Sequence, residues 1–365
     1  MKKNTSLSLL IGALISAVAL YLAFRNVPFG DLVAYLAAID PFWALSSVAV
    51  VMVSFTLRAY RWQVILGSSH RIGFKNAYHP LMIGFMLNCI LPGRVGELAR
   101  PAVLKKQEGV AYTTGLATVA VERTFDVILL LLMLVVVLAT VEIDPSIDLT
   151  FGSYHLNRET LMAIGSGMTR IGIVLIAGIV LVSLEKTRQM IVTAVWFLPN
   201  LLVFAGMGAK ERIHRRLCAP LVGIIDNIAT GFEMVKQPGR LSLCMVLSAL
   251  IWGLGAVSYY MVALAVPGLS LSFGEISTVM IIICFFIALP SVPGFWGIWE
   301  AGGVFALTLF GVSSGEAAGY ALASHVIQMF PVILAGLVSA LITGINLRQV
   351  AGGAPGNKNP PVDGK

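Results

Sequence analysis

Three charged residues follow a break in an apolar part of the sequence. Arg94, Glu97 and Arg100 recur at every third position after Pro92 and Gly93, so a helix that begins near Gly93 places all three on one flank. The free N–H groups of such a helix start, together with two guanidinium groups, suit a phosphate or another anionic group, and Glu97 would hold one arginine in place. The alternative is a turn whose arginines simply meet water.

A second charged group opens a later apolar stretch. Asp126 follows Arg123 by three positions, which favours an ion pair between them on a helix and leaves Glu122 to reach the arginines of the first group. We interpret this group as either a gate or a fixed anchor.

The second half of the chain carries an isolated acid. Glu300 is the only charged residue between Glu275 and Glu316. In apolar surroundings such a carboxylate is protonated or paired, which makes it a candidate for proton coupling or for contact with an amine. A hydrogen bond to interrupted backbone is the alternative. His325 and Gln328 could face the same cavity from one helix, although a lone histidine in a helix bundle is more often structural.

Catalytic chemistry has no recognisable pattern in this sequence. Nucleophile–base pairs, metal-ligand spacings and phosphate-binding loops are not found. The four cysteines lack C-x-x-C spacing. We therefore expect no catalytic residue, no metal and no cofactor.

The composition excludes a water-soluble fold. Of 365 residues, 58% are apolar and 12% are charged, whereas about 25% of residues are charged in soluble domains. The sequence predicts an all-α polytopic membrane protein.

Stretches of about 20 apolar residues cross the roughly 30 Å of bilayer hydrocarbon as helices. The sequence contains six of them, from which we predict six full transmembrane helices: 6–24, 42–57, 124–141, 161–184, 242–266 and 318–345. The first follows two lysines, and we interpret it as a retained anchor rather than a cleaved signal peptide.

Four shorter apolar stretches form two pairs, each interrupted by proline and glycine. The stretches are 78–91 with 109–121, and 276–290 with 298–311. We predict that each pair enters the membrane, breaks and returns on the same side, which requires protein or a wet cavity around the break. The residues of the predicted breaks are Pro92, Gly93, Gly96, Pro290, Pro293, Gly294 and Gly297.

The basic residues orient this arrangement. With six spans and two re-entrant hairpins, all of the 25 Lys and Arg residues except Arg25, Arg158 and Arg170 face the cytoplasm. Both termini are then cytoplasmic. The net charge of +7 favours anionic lipid head groups, and a nucleic-acid partner is not expected.

We predict a single membrane domain over residues 1–350, with halves at approximately 1–145 and 158–350. Residues 185–240 form a cytoplasmic or interfacial segment, in which 189–208 reads as an interfacial helix, with a membrane span as the alternative. Residues 351–365 are predicted to be a disordered cytoplasmic tail.

The two halves predict an inverted repeat. Each contains three spans and one hairpin, so the two copies must have opposite orientations. Pro-Gly-x-x-Gly occurs at Pro92 and again at Pro293, at the same place in each half. Inverted halves with interrupted helices are typical of transporters, whereas a bundle with mere kinks is the alternative.

At these motifs the sequence resembles the lysylphosphatidylglycerol synthase transmembrane, or flippase-like, family, over nearly the whole chain. Two departures from the family pattern are Phe295, where a second glycine is more typical, and His325, where a basic residue is often expected. The matching runs are Leu91-Pro92-Gly93-Arg94-Val95-Gly96-Glu97-Leu98-Ala99-Arg100-Pro101, Val121-Glu122-Arg123-Thr124-Phe125-Asp126, and Leu289-Pro290-Ser291-Val292-Pro293-Gly294 with Gly297 and Glu300.

The resemblance implies movement of a lipid or lipid-linked molecule between leaflets of the bacterial inner membrane. The implied partners are membrane lipids with anionic or phosphate-bearing head groups, and lipid- or glycan-biosynthetic enzymes. Fused members carry an aminoacyl-transferase domain; because this sequence ends at Lys365 without one, we expect no lysyl transfer. Two alternatives are a lipid-modifying enzyme that uses Glu97, Glu122 or His325 as acid or base, and an accessory subunit of envelope biosynthesis.

Overall fold

The structure is a computed structural model, and parts of the chain lie outside its description. The structure describes the continuous segments 27–68, 70–91, 94–140, 148–151, 154–157, 184–201, 213–219, 237–288 and 292–345. It also describes isolated residues between 14 and 23, between 163 and 181, and between 211 and 225.

The described residues are almost entirely helical. Two strands, β1 (Asp148–Phe151) and β2 (Tyr154–Asn157), pair antiparallel between helices α5 and α6, and this small hairpin is the departure from the all-α prediction. The helices are α1 (Phe29–Ala37), α2 (Pro41–Leu66), α3 (Phe74–Ile90), α4 (Val95–Glu108), α5 (Tyr112–Thr140), α6 (Glu185–Leu201), α7 (Pro238–Ala265), α8 (Phe273–Phe286), α9 (Ile298–Thr308) and α10 (Ser314–Thr343).

Three helices, α2, α7 and α10, are long and apolar enough to cross a membrane. They coincide with the predicted spans 42–57, 242–266 and 318–345. The predicted spans 6–24 and 161–184 lie largely outside the described residues, as do Pro92, Gly93, Pro290 and the tail 351–365. Helix α6 covers the first part of the 189–208 segment, whose remainder also lies outside the description.

The first hairpin and the following span have boundaries that differ from the prediction. The returning arm is α4 (Val95–Glu108), not 109–121, and residues 112–140 form the single helix α5. The apolar pattern misses α4 because that helix carries five charged residues besides Arg94 at its start. It also divides α5 at Glu122 and Arg123, which are paired with oppositely charged residues in the structure.

Helix α2 is longer than predicted at its C-terminal end. It begins at Pro41 behind Asp40, whose side chain accepts a hydrogen bond of 2.8 Å from the N–H of Phe42, a standard N-cap. It ends at Leu66 rather than at residue 57. Arg58 and Arg61 therefore lie within the helix, and Arg61 is fully buried.

Helices α2 and α7 pack against each other along much of their length. Small polar residues mark their contact: the hydroxyls of Ser47 and Ser258 are 2.8 Å apart, and Ser54 donates to the carbonyl of Ile251. Since residue numbers rise along one helix as they fall along the other, the two helices run antiparallel. Small side chains let membrane helices approach closely.

The first hairpin, α3 and α4, closes on two glycines. A Cβ atom on Gly96 would collide with the carbonyl oxygen of Gly84, and one on Gly84 would lie 2.9 Å from that of Gly96. Gly96 is predicted at the break, but it lies inside α4. Its missing side chain permits helix packing rather than chain reversal.

The second hairpin, α8 and α9, is interrupted by a short 3₁₀ turn at Pro293–Phe295. Gly294 has φ of 72° and Gly297 has φ of 86°, conformations that glycine adopts without strain. Gly294 packs against the carbonyl oxygen of Cys89 near the end of α3. The interruption of the second hairpin therefore touches the first hairpin.

Candidate functional site

A cluster of buried charges joins helices α2, α4, α5 and α7. Its four most buried members are Arg61, Arg100, Glu122 and Asp126, all at most 6% exposed. Charges buried among apolar helices require partners, since an unpaired one is costly.

Glu122 lies at the centre of this cluster. Arg100 donates to it from both terminal guanidinium nitrogens, at 2.5 and 3.2 Å, and the Arg100 guanidinium lies 3.6 Å from the ring centroid of Trp62. Arg123 donates to Glu122 at 2.7 Å. The bidentate pair fastens α4 to α5, and it is the contact expected between Glu122 and an arginine of the hairpin.

Arg123 and Asp126 form the other expected pair. Their closest side-chain atoms are 3.2 Å apart, whereas Glu97 lies 3.9 Å from Arg123. Glu97 thus faces Arg123 rather than Arg94 or Arg100. Whether the cluster gates a path or only anchors the helices stays a prediction.

Two arginines of the cluster are missed when the sequence is read alone. Arg61 donates to Asp126 at 2.9 Å and to the hydroxyl of Ser248 on α7 at 2.7 Å, and Arg58 lies 3.6 Å from Asp126. The apolar stretch ends before both arginines, so the sequence places them in a cytoplasmic segment. Their spacing of three, in continuation of that stretch, is the signal that could have found them.

A cavity of about 270 Å³ lies between the two hairpins and the central helices α2, α5, α7 and α10. Its charged wall consists of Arg58, Arg123 and Asp126, so the fixed charge is net positive. The remaining polar and aromatic lining includes Ser54, Phe55, Phe85, Cys89, Trp252, Ser258, Tyr259, Cys284, Phe295, Trp299, His325 and Gln328.

Arg94 and Arg100 do not face one common cavity. Arg94 is exposed at the start of α4 and donates to the carbonyl of Ile287 at 2.9 Å, with its guanidinium 6.0 Å from the ring centroid of Phe295. Both contacted residues line the cavity, so Arg94 lies at its edge. Arg100 borders a separate space of about 10 Å³ beside Gly84 and Gly96.

The second-half residues converge around the interruption at Gly294. The Nδ1 atom of His325 is 2.6 Å from Glu300, and its Nε2 atom is 2.7 Å from the carbonyl oxygen of Gly294. Glu300 also accepts a 2.7 Å hydrogen bond from the N–H of Gly297. The alternative of a carboxylate bonded to interrupted backbone is therefore realised, together with a histidine partner.

Gln328 lies one turn after His325 and also lines the cavity. It donates to the hydroxyl of Ser258 at 2.7 Å. The structure thus brings His325 and Gln328 to one cavity, as the sequence predicts. Among the described residues, no three His, Cys, Asp or Glu side chains are grouped as a metal site.

Comparison with known proteins gives distant relatives from archaea. The chain is 24% identical to the "Glycosyltransferase AglD" of Haloferax volcanii over 93% of this chain, and it spans 55% of that protein's length. It is 23% identical to the UPF0104 membrane protein PH1989 of Pyrococcus horikoshii over 80% of this chain and 85% of the relative. For the UPF0104 membrane protein MJ1078 of Methanocaldococcus jannaschii the identity is 22%, over 72% of this chain and 95% of the relative.

A family assignment covers most of the sequence. Residues 9–336 match the family described as "Lysylphosphatidylglycerol synthase TM region". This match includes the charged cluster, both hairpins and all residues of the cavity wall. Together with the long apolar helices, it makes the chain a multi-pass membrane protein. The chain belongs to the lysylphosphatidylglycerol synthase TM region family.

Proposed function

We propose that the protein moves a phospholipid, or a lipid-linked molecule with an anionic head group, between the leaflets of the membrane. The observation that carries this proposal is the cavity of about 270 Å³, where Arg58 and Arg123 stand on a wall that is otherwise mostly apolar and aromatic. Guanidinium groups in such surroundings bind phosphate oxygens strongly. Acyl chains would remain in the surrounding lipid.

The head-group ligands of this proposal are Arg58 and Arg123, with Arg94 at the edge of the cavity. Their side chains differ in access from the rest of the cluster: 17% of Arg58 and 32% of Arg123 is exposed, against 0% of Arg61 and 3% of Arg100. All four arginines pair with acids, but Arg61 and Arg100 are almost completely enclosed. We therefore assign Arg61 and Arg100 the role of holding Asp126 and Glu122.

We infer that the two halves form an inverted repeat, which would provide alternating access to this cavity. When the first half is shifted along the chain by the separation of Pro92 and Pro293, helices α2 to α5 fall on α7 to α10 with ends that agree within a few residues. Among the described residues, the two non-glycine residues with positive φ are Arg94 and Phe295, which become equivalent under this shift.

The contacts between helices also correspond in the two halves. The pairs α2–α3, α3–α4, α4–α5 and α3–α10 correspond to α7–α8, α8–α9, α9–α10 and α8–α5, and each of these pairs is in contact. Helices α2 and α7 pair with one another. Such a relation between halves is the basis of rocking-type transport.

The topology and location of the protein are part of the same proposal. We propose six spans and two re-entrant hairpins with both termini in the cytoplasm, in the inner membrane of a bacterium. The partners are membrane lipids and enzymes that make or use the transported lipid. The chain itself would carry out no covalent chemistry.

The name of one relative supports a second candidate function. From the match to the glycosyltransferase AglD we infer, as this second candidate, that the chain serves sugar transfer to or from a lipid, either as part of the enzyme or by presenting a lipid-linked sugar. In that case a covalently changed lipid, rather than a redistributed one, is the product.

Transport is tested with purified protein in liposomes that contain phosphatidylglycerol with a fluorescent label on one acyl chain. Dithionite, added outside, quenches only label in the outer leaflet, so a catalyst raises the quenched fraction above one half. We expect Arg58→Gln to slow this exchange by about ten- to hundredfold, because a charge-assisted hydrogen bond contributes about 1.5–3 kcal/mol. Arg58→Lys retains more activity than Arg58→Gln because it keeps the charge.

The matched control is Arg188→Gln on α6, an arginine paired with Glu185 outside the cavity. It leaves the rate unchanged. Equal rates for wild type, Arg58→Gln and Arg123→Gln would contradict the assignment of these arginines as head-group ligands. Mass spectrometry of the recovered lipids decides between the two functions, since a transferase yields a lipid of new mass when supplied with a sugar donor.

A further inference from the structure

His325 faces a hydrogen-bond acceptor with each of its ring nitrogens. The carboxylate of Glu300 lies 2.6 Å from Nδ1, and the carbonyl oxygen of Gly294 lies 2.7 Å from Nε2. A backbone carbonyl can only accept, so Nε2 must carry a hydrogen. The short contact between Nδ1 and Glu300 requires a hydrogen as well.

These two hydrogens determine the protonation state of the pair formed by Glu300 and His325. The one between Nδ1 and Glu300 belongs either to an imidazolium beside a carboxylate or to a carboxylic acid beside a neutral imidazole. Both descriptions contain one proton more than a carboxylate with a neutral imidazole. The observed geometry is therefore that of a pair loaded with one extra proton.

The surroundings hold the pair in place. The side chains of Glu300 and His325 are 0% and 1% exposed, and the imidazole stacks on Trp299 with ring centroids 4.7 Å apart and an angle of 6° between the planes. Trp296 covers it at 4.4 Å. The ring is thus not free to turn toward other partners.

Loss of the extra proton leaves a neutral imidazole with a single N–H. It can then donate to Glu300 or to Gly294, but not to both. If Gly294 loses its donor, the interruption of the second hairpin is released from α10 at the point where it touches α3. Buried acceptors left without donors are costly, so proton loss and movement of the interruption are coupled.

His325 borders the same cavity as the proposed head-group ligands. The charged or titratable groups that line this cavity from the other helices are Arg58 on α2, Cys89 on α3, Arg123 and Asp126 on α5, Tyr259 on α7 and Cys284 on α8.

We propose that Glu300 and His325 together form a binding site for one exchangeable proton, and that release of this proton to water in the cavity drives lipid movement. The coupling to lipid movement rests on the proposed transport function. The proton site does not, and it can be tested without any lipid substrate.

The variant Glu300→Gln imitates the loaded pair but has no proton to release. Its amide donates to Nδ1 of a neutral His325 and accepts from the N–H of Gly297, so all three hydrogen bonds persist. A proton held by the native pair stabilises the fold only while it is bound. The wild-type unfolding temperature in detergent therefore falls by several degrees as the pH rises through the range in which the pair loses this proton. The same profile in Glu300→Gln lacks this fall.

Two controls separate the pair from other titrating groups. Glu108→Gln at the exposed end of α4 and His70→Gln in an exposed loop keep the wild-type profile. Wild-type and Glu300→Gln profiles of the same shape would overturn the proton site.

Coupling is measured in the labelled-lipid liposomes with a pH difference across the membrane. If one proton crosses with each lipid, a difference of one pH unit changes the ratio of labelled lipid between the two leaflets about tenfold in the wild type. The reason is that one pH unit corresponds to a factor of ten in proton activity. Glu300→Gln gives a ratio near one. A wild type that moves lipid without regard to the gradient overturns the coupling. A wild type that moves no lipid overturns the transport function, and the unfolding profiles then decide the proton site by themselves.

Discussion

Replacement of Glu122 by glutamine should lower the free energy of unfolding by about 3–5 kcal/mol, the range found when one partner of a buried ion pair is removed. Glu122 is fully buried and accepts from Arg100 and Arg123. Within the described residues Arg100 has no other acidic partner. Its guanidinium would therefore stay buried without a counter-charge, which costs far more than the lost hydrogen bonds alone.

The measurement is the unfolding of wild type and variant in mixed micelles of increasing denaturing detergent. Glu97→Gln is the matched control, because Glu97 is half-buried and 3.9 Å from Arg123; such pairs contribute up to about 1 kcal/mol. Adding Arg100→Gln to Glu122→Gln should recover part of the loss, since it removes the orphaned charge. A Glu122→Gln protein as stable as Glu97→Gln would mean that the cluster is hydrated rather than buried.

The second large effect is expected for Gly96→Ala. The new Cβ would collide with the carbonyl oxygen of Gly84 and lie 2.6 Å from the side-chain oxygen of Asn88. A backbone oxygen cannot rotate away as a side chain can, so helices α3 and α4 must separate. Overpacking of this kind costs about 1–3 kcal/mol, and it displaces the hairpin that carries Cys89 and Phe85 into the cavity wall.

Gly253→Ala provides the comparison, since that glycine lies in α7 with no atom within 4 Å of the added Cβ. Alanine there is expected to be neutral or to stabilise the helix by up to about 1 kcal/mol. Both variants are compared in the detergent unfolding experiment and in the labelled-lipid assay. Gly96→Ala with wild-type stability would show that the hairpin arms are free to move apart.

Much of the helical framework was predictable because bilayer thickness imposes a length on apolar segments. The spans around α2, α7 and α10 and the interruption at Pro293 and Gly294 follow directly from runs of apolar residues and from the conformations of proline and glycine. The pairs of Arg123 with Asp126 and of Glu122 with an arginine of the hairpin were predictable for a similar reason. Helical spacing restricts which charges can meet.

Other features depend on contacts between distant parts of the chain. The hydropathy pattern did not predict α4 as a helix or Arg61 as buried. A hydropathy scale scores each charged residue alone and does not include the partner that neutralises it. Arg61 is buried because Asp126 and Ser248 meet it there, and the corresponding separations along the chain are 65 and 187 residues. A local pattern contains no information about such partners.

The sequence by itself determined that this protein lies in a membrane, that α2, α7 and α10 are helical by virtue of their apolar length, and that Pro293 and Gly294 interrupt the second hairpin. Only the tertiary structure decided which arginines line the cavity and which are enclosed by the protein, and that His325 lies between Glu300 and the carbonyl of Gly294. The reason is physical: hydrophobic burial depends on the composition of each segment, whereas the state of a charge or a proton depends on the few atoms within about 4 Å of it.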